Sequence, residues 1–316
     1  KNDVAKNVSY TYQTDQKLIV VNKGPKEEGF QVCTLCGASH PASSLASSSE
    51  HFRPFPVPTY VQKRENASFK CLGPWYTNNL FLGTTIQTDL LLLRFQLKDP
   101  LDFNPQYPWI HDAVNTLSEA LALGACIHLD IDTAELKSGY RLLAPNSQSS
   151  EKAIAGLADI YLYDTAPGGA GFADQAGIEL NEVLERTRSL LENCPGDCQT
   201  SCWKCLRHHM NRQQHDRLDR NLALALLEFA LNNTVPKPLA ISIQSTLLKP
   251  LKRYMELEGW EIRSEPRYPL SVKSPSTGEI VAVSLKPALV SDRYAQNNYG
   301  ISTGSTLEIQ LEDYVA

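Results

Sequence analysis

A dense cysteine cluster, Cys194-Pro-Gly-Asp-Cys198-Gln-Thr-Ser-Cys202-Trp-Lys-Cys205, constrains this chain more than any other feature. Four thiolates at such short spacings can surround one tetrahedral Zn²⁺ ion, whose structural sites take cysteine or cysteine and histidine sets. Two disulfides or buried free thiols are the alternatives, but no secretory feature accompanies the cluster. A closed four-cysteine site leaves no open position for substrate, so we predict a metal that stabilises the fold and performs no chemistry.

A second half-site lies nearer the N-terminus, where residues 33–37 read Cys-Thr-Leu-Cys-Gly. Its missing ligands must come from downstream, with Cys71 as the third and His51 or His40 as the fourth. The intervening segment 42–58 is rich in Ser, Ala and Pro and long for a connection without structure, which a metal would make more tolerable. An inert pair beside a buried Cys71 is the alternative. The predicted ligands of this second zinc are Cys33, Cys36, Cys71 and His51.

Composition describes an ordinary soluble protein. The chain has 316 residues, of which 42% are apolar, enough for two or three domains. No apolar run approaches the roughly 18 residues needed to cross a bilayer. Because the chain begins with Lys1, we expect a cytoplasmic fragment of a longer polypeptide with no membrane partner. The net charge of −5 argues against a uniformly DNA-coated surface, so any nucleic-acid contact must be local.

Hydrophobic patterning predicts an α+β fold, in which a zinc-stabilised domain with a mixed sheet and helices precedes a small helix-plus-hairpin domain. The predicted domains are residues 1–80 with the zinc knuckle, 81–231 with the cysteine cluster, and 232–316. The predicted strands of the first two domains are 18–22, 88–95, 127–131 and 153–163. The predicted helices there are 112–124, 172–192 and one that ends near residue 231.

A glycine-rich turn, Asp164-Thr-Ala-Pro-Gly-Gly-Ala-Gly171, joins a predicted strand to a predicted helix. Backbone N–H groups at such a turn can face an anion, which makes Gly168 and Gly169 candidates for contact with a nucleic-acid phosphate or an interdomain carboxylate. The alternative is that the glycines permit a tight turn and close packing. No G-x-x-x-x-G-K-[ST] motif occurs, so a P-loop is excluded here.

The segment after the cysteine cluster, residues 206–220, is the most basic stretch of the chain. Arginine suits backbone phosphates through its bidentate geometry. The alternative is an ion-paired helix start, in which Asp216 or Asp219 favours the positive end of the helix. The candidate DNA-contacting residues are Arg207, Arg212, Arg217 and Arg220.

Residues 232–316 predict a helix over 244–258, a strand from Trp260, a hairpin between 269–273 and 279–286, and a last strand over 306–311. Together with Lys286, this pattern is weakly similar to the core of restriction-type nucleases. That chemistry needs two or three carboxylates to hold Mg²⁺, but Ser284 and Leu285 stand where an acid would be needed. A docking or stabilising domain is therefore favoured over an active nuclease.

Several short motifs together resemble the MrfA-type zinc-binding domain, found at the C-terminal end of many bacterial superfamily 2 DNA helicases and in the antiphage subunit DrmB of DISARM systems. The motifs are Gly29-Phe30-x-x-Cys33-x-x-Cys36-Gly37, Thr88-Asp89-Leu90, Tyr163-Asp164-x-x-Pro167-Gly168-Gly169-Ala170-Gly171, the four-cysteine cluster with Leu206, and Leu218-Asp219-Arg220. The resemblance spans about residues 15–231. It implies that the four clustered cysteines bind zinc and that the domain works beside DNA.

The chain departs from the short helicase examples in two ways, because it continues over residues 232–316 and contains no ATPase motif. Both departures favour a DrmB-like or other defence-complex subunit, which alone is not an enzyme. We expect it to bind single-stranded or junction DNA, or to dock a helicase or ATPase domain or subunit. The alternatives are a purely structural, zinc-stabilised protein-interaction scaffold or an inactive nuclease-like C-terminal domain.

Overall fold

The computed structural model describes residues 2–5, 7–42, 50–55, 69–102, 105–143 and 154–299. The chain forms two compact units, one of residues 1–14 with 89–316 and the other of residues 15–88. The three predicted domains divide the chain differently, and their boundaries stay a prediction.

The strands of the described residues, in chain order, are β1 Asn2–Ala5, β2 Val8–Asn22, β3 Phe30–Cys33, β4 Ser39–Pro41, β5 His51–Phe52, β6 Lys70–Cys71, β7 Trp75–Leu80, β8 Leu82–Lys98, β9 Leu136–Leu143, β10 Ile154–Asp164, β11 Glu261–Arg263, β12 Leu270–Lys273 and β13 Ile280–Val283. The helices are α1 Pro108–Leu129, α2 Phe172–Ile178, α3 Leu180–Glu192, α4 Arg220–Asn232, α5 Ile241–Leu247, α6 Lys249–Leu257 and α7 Asp292–Tyr299, and 3₁₀ segments cover Pro25–Glu27 and His209–Arg217. This content confirms the predicted α+β class.

A five-stranded sheet with the order β1-β2-β8-β10-β9 forms the centre of the larger unit. β10 pairs antiparallel with both neighbours, so that Ile160 lies opposite Leu93 on one side and Tyr140 on the other. Alternate residues of β8, among them Leu91, Leu93 and Phe95, are fully buried. The predicted strand over 88–95 is therefore confirmed, and this alternation gives the sheet one core face and one solvent-facing side.

Helices α1, α3 and α4 pack together beside this sheet, with α1 also contacting β9 and β10. The side chains of Leu117, Leu121, Leu191 and Leu227 are buried in the shared core. The predicted helix over 112–124 is confirmed and extends to Leu129.

The predicted strand over 127–131 is wrong, because these residues form the last turn of α1 and its cap. Asp130 adopts the left-handed conformation with φ of 53° that ends the helix. A short apolar alternation fits one helical turn as well as a strand, and the long helix upstream decides the outcome. The predicted helix over 172–192 is likewise divided, because the backbone leaves helical geometry at Glu179.

The C-terminal part of the larger unit has its own three-stranded antiparallel sheet, β11-β12-β13. The predicted hairpin is confirmed over 270–273 and 280–283. The predicted helix over 244–258 is split at Leu248, just before Pro250 in the first turn of α6. The predicted strand over 306–311 lies outside the described residues. Residues of α6 and β12 share a small core made of Leu248, Leu251, Met255, Leu270 and Val272.

The smaller unit, residues 15–88, contains the sheet β4-β3-β7 and the two-stranded ladder β5-β6. Its buried cluster is small, consisting of Cys33, Ala38 and Cys71 with partly buried Cys36 and Trp75. So little apolar burial is typical of a fold that depends on a cross-link or a metal. None of the helices in the described ranges is long and apolar enough to cross a membrane.

Candidate metal centres and their surroundings

The four clustered cysteines converge in the loop that follows α3. The distance between the Sγ atoms is 3.5 Å for Cys194 and Cys202, 3.6 Å for Cys198 and Cys205, and 3.8 Å for Cys202 and Cys205. All four sulfur atoms lie within 4.8 Å of one another. A tetrahedron with Zn–S bonds of about 2.3 Å has edges of about 3.8 Å, whereas a disulfide would bring two sulfurs to about 2.05 Å. The thiols are free, so the geometry fits zinc and not disulfides.

Backbone N–H groups of the loop point at these sulfurs. Gly196 donates to Sγ of Cys194 over 3.3 Å, and Lys204 donates to Sγ of Cys202 over 3.4 Å. Hydrogen bonds of this kind favour the thiolate, which is the form that binds a metal. The loop backbone is therefore arranged to hold negative charge on sulfur before a metal arrives.

The thiols of the cluster differ in how readily they ionise. A hydrogen bond from the Cys198 backbone, assisted by one from Gly196, lowers the pKa of Cys194 to about 6. Burial raises the pKa of Cys198 to about 12, and the neighbouring Cys194 adds to this effect. Interacting groups so close together cannot all ionise unless a cation compensates them, and a divalent zinc ion supplies that charge.

Arg220 fixes the cysteine loop to the end of α3. Its guanidinium donates to the carbonyl oxygens of Cys198, Leu191 and Glu192 at distances between 2.9 and 3.1 Å. The carbonyls of Leu191 and Glu192 belong to the last turn of α3, which leaves its acceptors without partners inside the helix. Arg220 thus serves the architecture of the zinc loop.

The second half-site is completed by the ladder β5-β6. His51 lies opposite Cys71 in this ladder, and His51 Nε2 is 3.2 Å from Sγ of Cys36. Sγ of Cys33 is 3.8 Å from Sγ of Cys71, and the four ligand atoms lie within 4.8 Å of one another. His40 is outside this group, with its Nδ1 2.9 Å from the carbonyl oxygen of Pro41. The structure therefore brings His51, and not His40, to the three cysteines.

The second group, Cys33, Cys36, His51 and Cys71, is called the knuckle below. As in the cluster, backbone N–H groups point at its sulfur atoms. Leu35 donates to Sγ of Cys33 over 3.4 Å, and Gly73 donates to Sγ of Cys71 over 3.3 Å. Burial raises the pKa of Cys33, but backbone hydrogen bonds from Cys36 and Leu35 outweigh it, and the pKa falls to about 6. A Cβ atom at Gly73 would lie 2.5 Å from Cβ of Leu35, so a larger residue there would displace the loop.

The glycine-rich turn is filled by the chain's own Asp164. Its carboxylate accepts backbone N–H groups from Ala170, Gly171, Phe172 and Ala173 at distances between 2.6 and 3.2 Å. The N–H groups at the start of α2 therefore face an internal carboxylate.

The turn glycines make room and adopt unusual backbone angles. Gly168 and Gly169 have φ of 87° and 83°, and a Cβ at Gly169 would lie 2.2 Å from a carboxylate oxygen of Asp89. Only glycine enters this region of φ without strain. The arrangement favours the tight-turn interpretation of these glycines.

The four candidate arginines fall in different surroundings. Arg207 donates from Nε to Ser201 Oγ over 2.9 Å, and Arg217 pairs with Asp112 over 2.8 Å. Arg212 is exposed and forms no ion pair within the described residues. Asp219 accepts backbone N–H groups of Asn221 and Leu222, which makes it the N-cap of α4, in agreement with the helix-start alternative.

A polar network that the sequence did not predict ties the basic segment to α1. Glu119 accepts a hydrogen bond from Asn211 over 3.1 Å and pairs with His208 over 3.3 Å. His215 Nε2 lies 3.0 Å from Oδ1 of Asn211. Glu119 is 92 residues from Asn211 along the chain, so no local spacing could have indicated this contact.

Lys286, the lysine of the nuclease-like pattern, is engaged with nearby groups. Its Nζ donates to the carbonyl oxygen of Val290 over 2.6 Å and pairs with Asp292 over 3.0 Å. Both partners belong to the turn before α7 or to the helix itself, so this lysine anchors a chain segment.

Comparison with known proteins finds a family match that ends just after the cysteine cluster. Residues 117–206 match the family model of the MrfA Zn-binding domain, which confirms the predicted resemblance over these residues. The Druantia protein DruE of Escherichia coli (strain UMEA 4076-1) is 35% identical over 326 residues, which cover 99% of this chain and 17% of that protein. The chain thus spans about a sixth of the length of this relative.

Two crystal structures of the DUF1998 helicase MrfA are also similar to part of the chain. The structure bound to DNA is 20% identical, with a TM-score of 0.34 over 49% of this chain and 18% of that chain. The structure bound to DNA and AMPPNP is 18% identical, with a TM-score of 0.27 over 49% of this chain and 17% of that chain.

Proposed function

We propose that this chain is a zinc-stabilised, DNA-associated module of a larger helicase or antiphage defence protein of the cytoplasm. The observation that carries the proposal is the MrfA Zn-binding domain over residues 117–206, which ends where the basic segment begins. The Druantia relative, of which this chain spans 17%, supports membership of a longer defence protein or complex.

Zinc has a structural role in this proposal. Cys194, Cys198, Cys202 and Cys205 hold one ion, and Cys33, Cys36, His51 and Cys71 hold a second. With four protein ligands each, neither ion has a position for water or substrate. Each ion organises a loop that the apolar core alone leaves poorly anchored.

DNA contact is local and uses the arginines whose donors the fold leaves available. Arg212 is exposed, Arg207 engages Ser201 through its Nε, and Arg217 is exposed although its Nε pairs with Asp112. Such side chains contact backbone phosphates and carry little sequence information. ATP hydrolysis belongs to another domain or subunit, because the sequence carries no phosphate-binding loop with its Lys and Ser/Thr.

A titration of labelled single-stranded DNA at two salt concentrations tests the proposal. We expect wild-type binding to weaken with salt, and the triple variant Arg207→Ala, Arg212→Ala, Arg217→Ala to bind less tightly with a flatter salt dependence. Removing one arginine–phosphate interaction lowers the log–log slope by roughly 0.7 for single strands. Identical curves for the two proteins would end the assignment of DNA contact to this segment.

A protein-docking scaffold is the second candidate, favoured by apolar side chains around the knuckle. Leu35, Phe52 and Leu72 are 65%, 72% and 73% exposed, and each is adjacent in sequence to a predicted zinc ligand. Exposed apolar groups in such number mark protein interaction sites more often than isolated surface residues do. A chain that binds no DNA at low salt but captures the helicase part of its own full-length protein would favour this candidate.

A further inference from the structure

The solvent-facing side of the sheet β8-β10-β9 combines aromatic and basic side chains. In the described register, Leu92, Tyr161 and Gly139 form one row across the three strands, and Arg94, Asp159 and Arg141 form the next. Tyr163 precedes them in a row with Leu90 and Lys137. Residues on this side alternate with the buried core residues and, apart from Asp159, remain at least partly exposed.

We propose that this side of the sheet is a platform for single-stranded DNA, with Tyr161 and Tyr163 stacking on bases and Arg94, Arg141 and Lys137 facing phosphates. The inference rests on the proposed DNA-associated function and names a second surface that serves it. The surface is called the tyrosine platform below.

Asp159 fixes the two arginines of the platform. It is fully buried, and Arg94 donates to both of its carboxylate oxygens, from Nε over 2.6 Å and from Nη2 over 2.7 Å. Arg141 donates from Nε over 2.9 Å. Burial raises the pKa of Asp159, but the two guanidinium groups outweigh it and hold this pKa below its usual value. The carboxylate therefore stays charged and orients two cations side by side.

The ring of Tyr161 lies over Gly139, where no side chain occupies the space. A Cβ atom there would lie 2.5 Å from Cε2 of the Tyr161 ring and 2.7 Å from its hydroxyl oxygen. The ring thus packs on the backbone of β9 while remaining partly exposed. Tyr163 is two residues along the same strand, about 6.8 Å away, on the same side of the sheet. Two partly exposed rings in line are an arrangement on which successive bases can stack.

The charge on the platform favours a polyanion such as a nucleic acid over a neutral or basic protein partner. Its rows place Arg94 and Arg141 on either side of Asp159 and Lys137 opposite Tyr163, whereas the chain as a whole carries a net charge of −5. Proteins that bind single strands combine a positive surface with aromatic rings, and sheet-based readers place those rings on an open face. The tyrosine platform has both parts.

Fluorescence anisotropy of the whole chain with fluorescein-labelled oligothymidylate tests the inference. We expect Tyr161→Ala or Tyr163→Ala to weaken binding by about 5- to 100-fold, the effect of losing one stacked base. Tyr161→Phe keeps the ring and should bind like wild type. Arg141→Gln should lower the salt slope by roughly 0.7. Tyr254→Ala, an exposed tyrosine of α6, is the matched control and should leave affinity unchanged.

Photo-cross-linking locates the strand directly. Oligonucleotides carrying iododeoxyuridine should cross-link to the peptide that contains Tyr161 and Tyr163, and circular dichroism with zinc content should show that the variants keep the wild-type fold. If the chain binds DNA but both alanine variants bind like wild type, the platform is refuted and the proposed function stands. If the wild-type chain binds no single-stranded DNA at low salt, the proposed function itself fails.

Discussion

Arg220 donates two hydrogen bonds to the carbonyl oxygen of Cys198, from Nε over 3.0 Å and from Nη2 over 2.9 Å. A basic residue that the sequence offers for DNA contact thus supports the backbone of a predicted zinc ligand. Arg212, eight residues earlier, is exposed. We therefore expect different effects on stability when these two arginines are replaced.

Replacing Arg220 should destabilise the zinc loop. Arg220→Ala leaves three carbonyl groups without their donor, and we expect a loss of about 2–3 kcal/mol in the free energy of unfolding. Zinc should also transfer faster to a competing chelator. Urea unfolding and a chromogenic zinc-release assay measure both effects.

Arg212→Ala is the control for Arg220, because an exposed substitution changes stability by less than about 0.5 kcal/mol. Equal stability and equal zinc release in the two variants would contradict the role of Arg220 as a support of the loop.

The cysteine cluster should account for one of two zinc ions. We expect about two equivalents of zinc in the wild type and about one in Cys194→Ser, because a three-thiolate remnant holds the ion far less tightly. Cys126→Ala removes a buried thiol of α1 outside both groups and should keep both ions. Elemental analysis by mass spectrometry counts the metal. Unchanged zinc in Cys194→Ser would argue against the cluster as a site.

The knuckle should distinguish its two histidines. His51→Ala should lower the zinc content by about one equivalent, because His51 Nε2 lies among the three thiols. His40→Ala should keep both ions, since the structure places His40 beside Pro41 and Trp75. The same elemental analysis decides, and the opposite pattern would show that the fourth ligand has been misassigned.

The choice between these two histidines shows what sequence spacing can and cannot predict. The cysteine spacings indicate the four-cysteine cluster and the Cys33/Cys36 pair as candidate metal ligands, because ligands close along the chain are close in space. Choosing between His40 and His51 required the pairing of β5 with β6, which sets His51 opposite Cys71. That pairing joins two segments separated by residues 53–69, so spacing alone left both histidines open.

The long-range polar contacts could not be predicted from the sequence either, because they too depend on how distant segments pack. The orientation of Arg220 toward Cys198, and of Asn211 toward Glu119, depends on how α1, α3 and α4 pack. Hydrophobic periodicity predicts that such helices exist, but it does not say which polar side chains meet between them. The strand predicted over 127–131 failed because a five-residue pattern fits two kinds of structure.

Asp159 should make stability depend on pH in the acid range. Its folded-state pKa is lowered, so its contribution is fully present above the unfolded value of about 3.9 and is lost as pH falls through the folded value. At neutral pH, Asp159→Asn should cost roughly 1–3 kcal/mol, because two partly exposed guanidinium groups lose a charged hydrogen-bond acceptor. The difference between variant and wild type should shrink below about pH 4. Urea unfolding at neutral and acid pH measures it, and a difference independent of pH would contradict the ionic role.

The contact between Gly169 and Asp89 can be separated from backbone strain by a matched pair of variants. Gly168 and Gly169 have nearly equal φ, 87° and 83°, so alanine should cost about 1–2 kcal/mol of conformational strain at either position. A Cβ at Gly168 meets nothing within 4 Å, whereas one at Gly169 would lie 2.2 Å from Asp89 Oδ2. Gly169→Ala should therefore be less stable than Gly168→Ala by roughly 1–3 kcal/mol, the cost of overpacking, in urea unfolding followed by circular dichroism. Because Asp89 lies in β8 and Gly169 in the glycine-rich turn, that difference measures how strongly these two segments depend on each other. Equal stability of the two variants would show that the glycines are required only for their backbone angles.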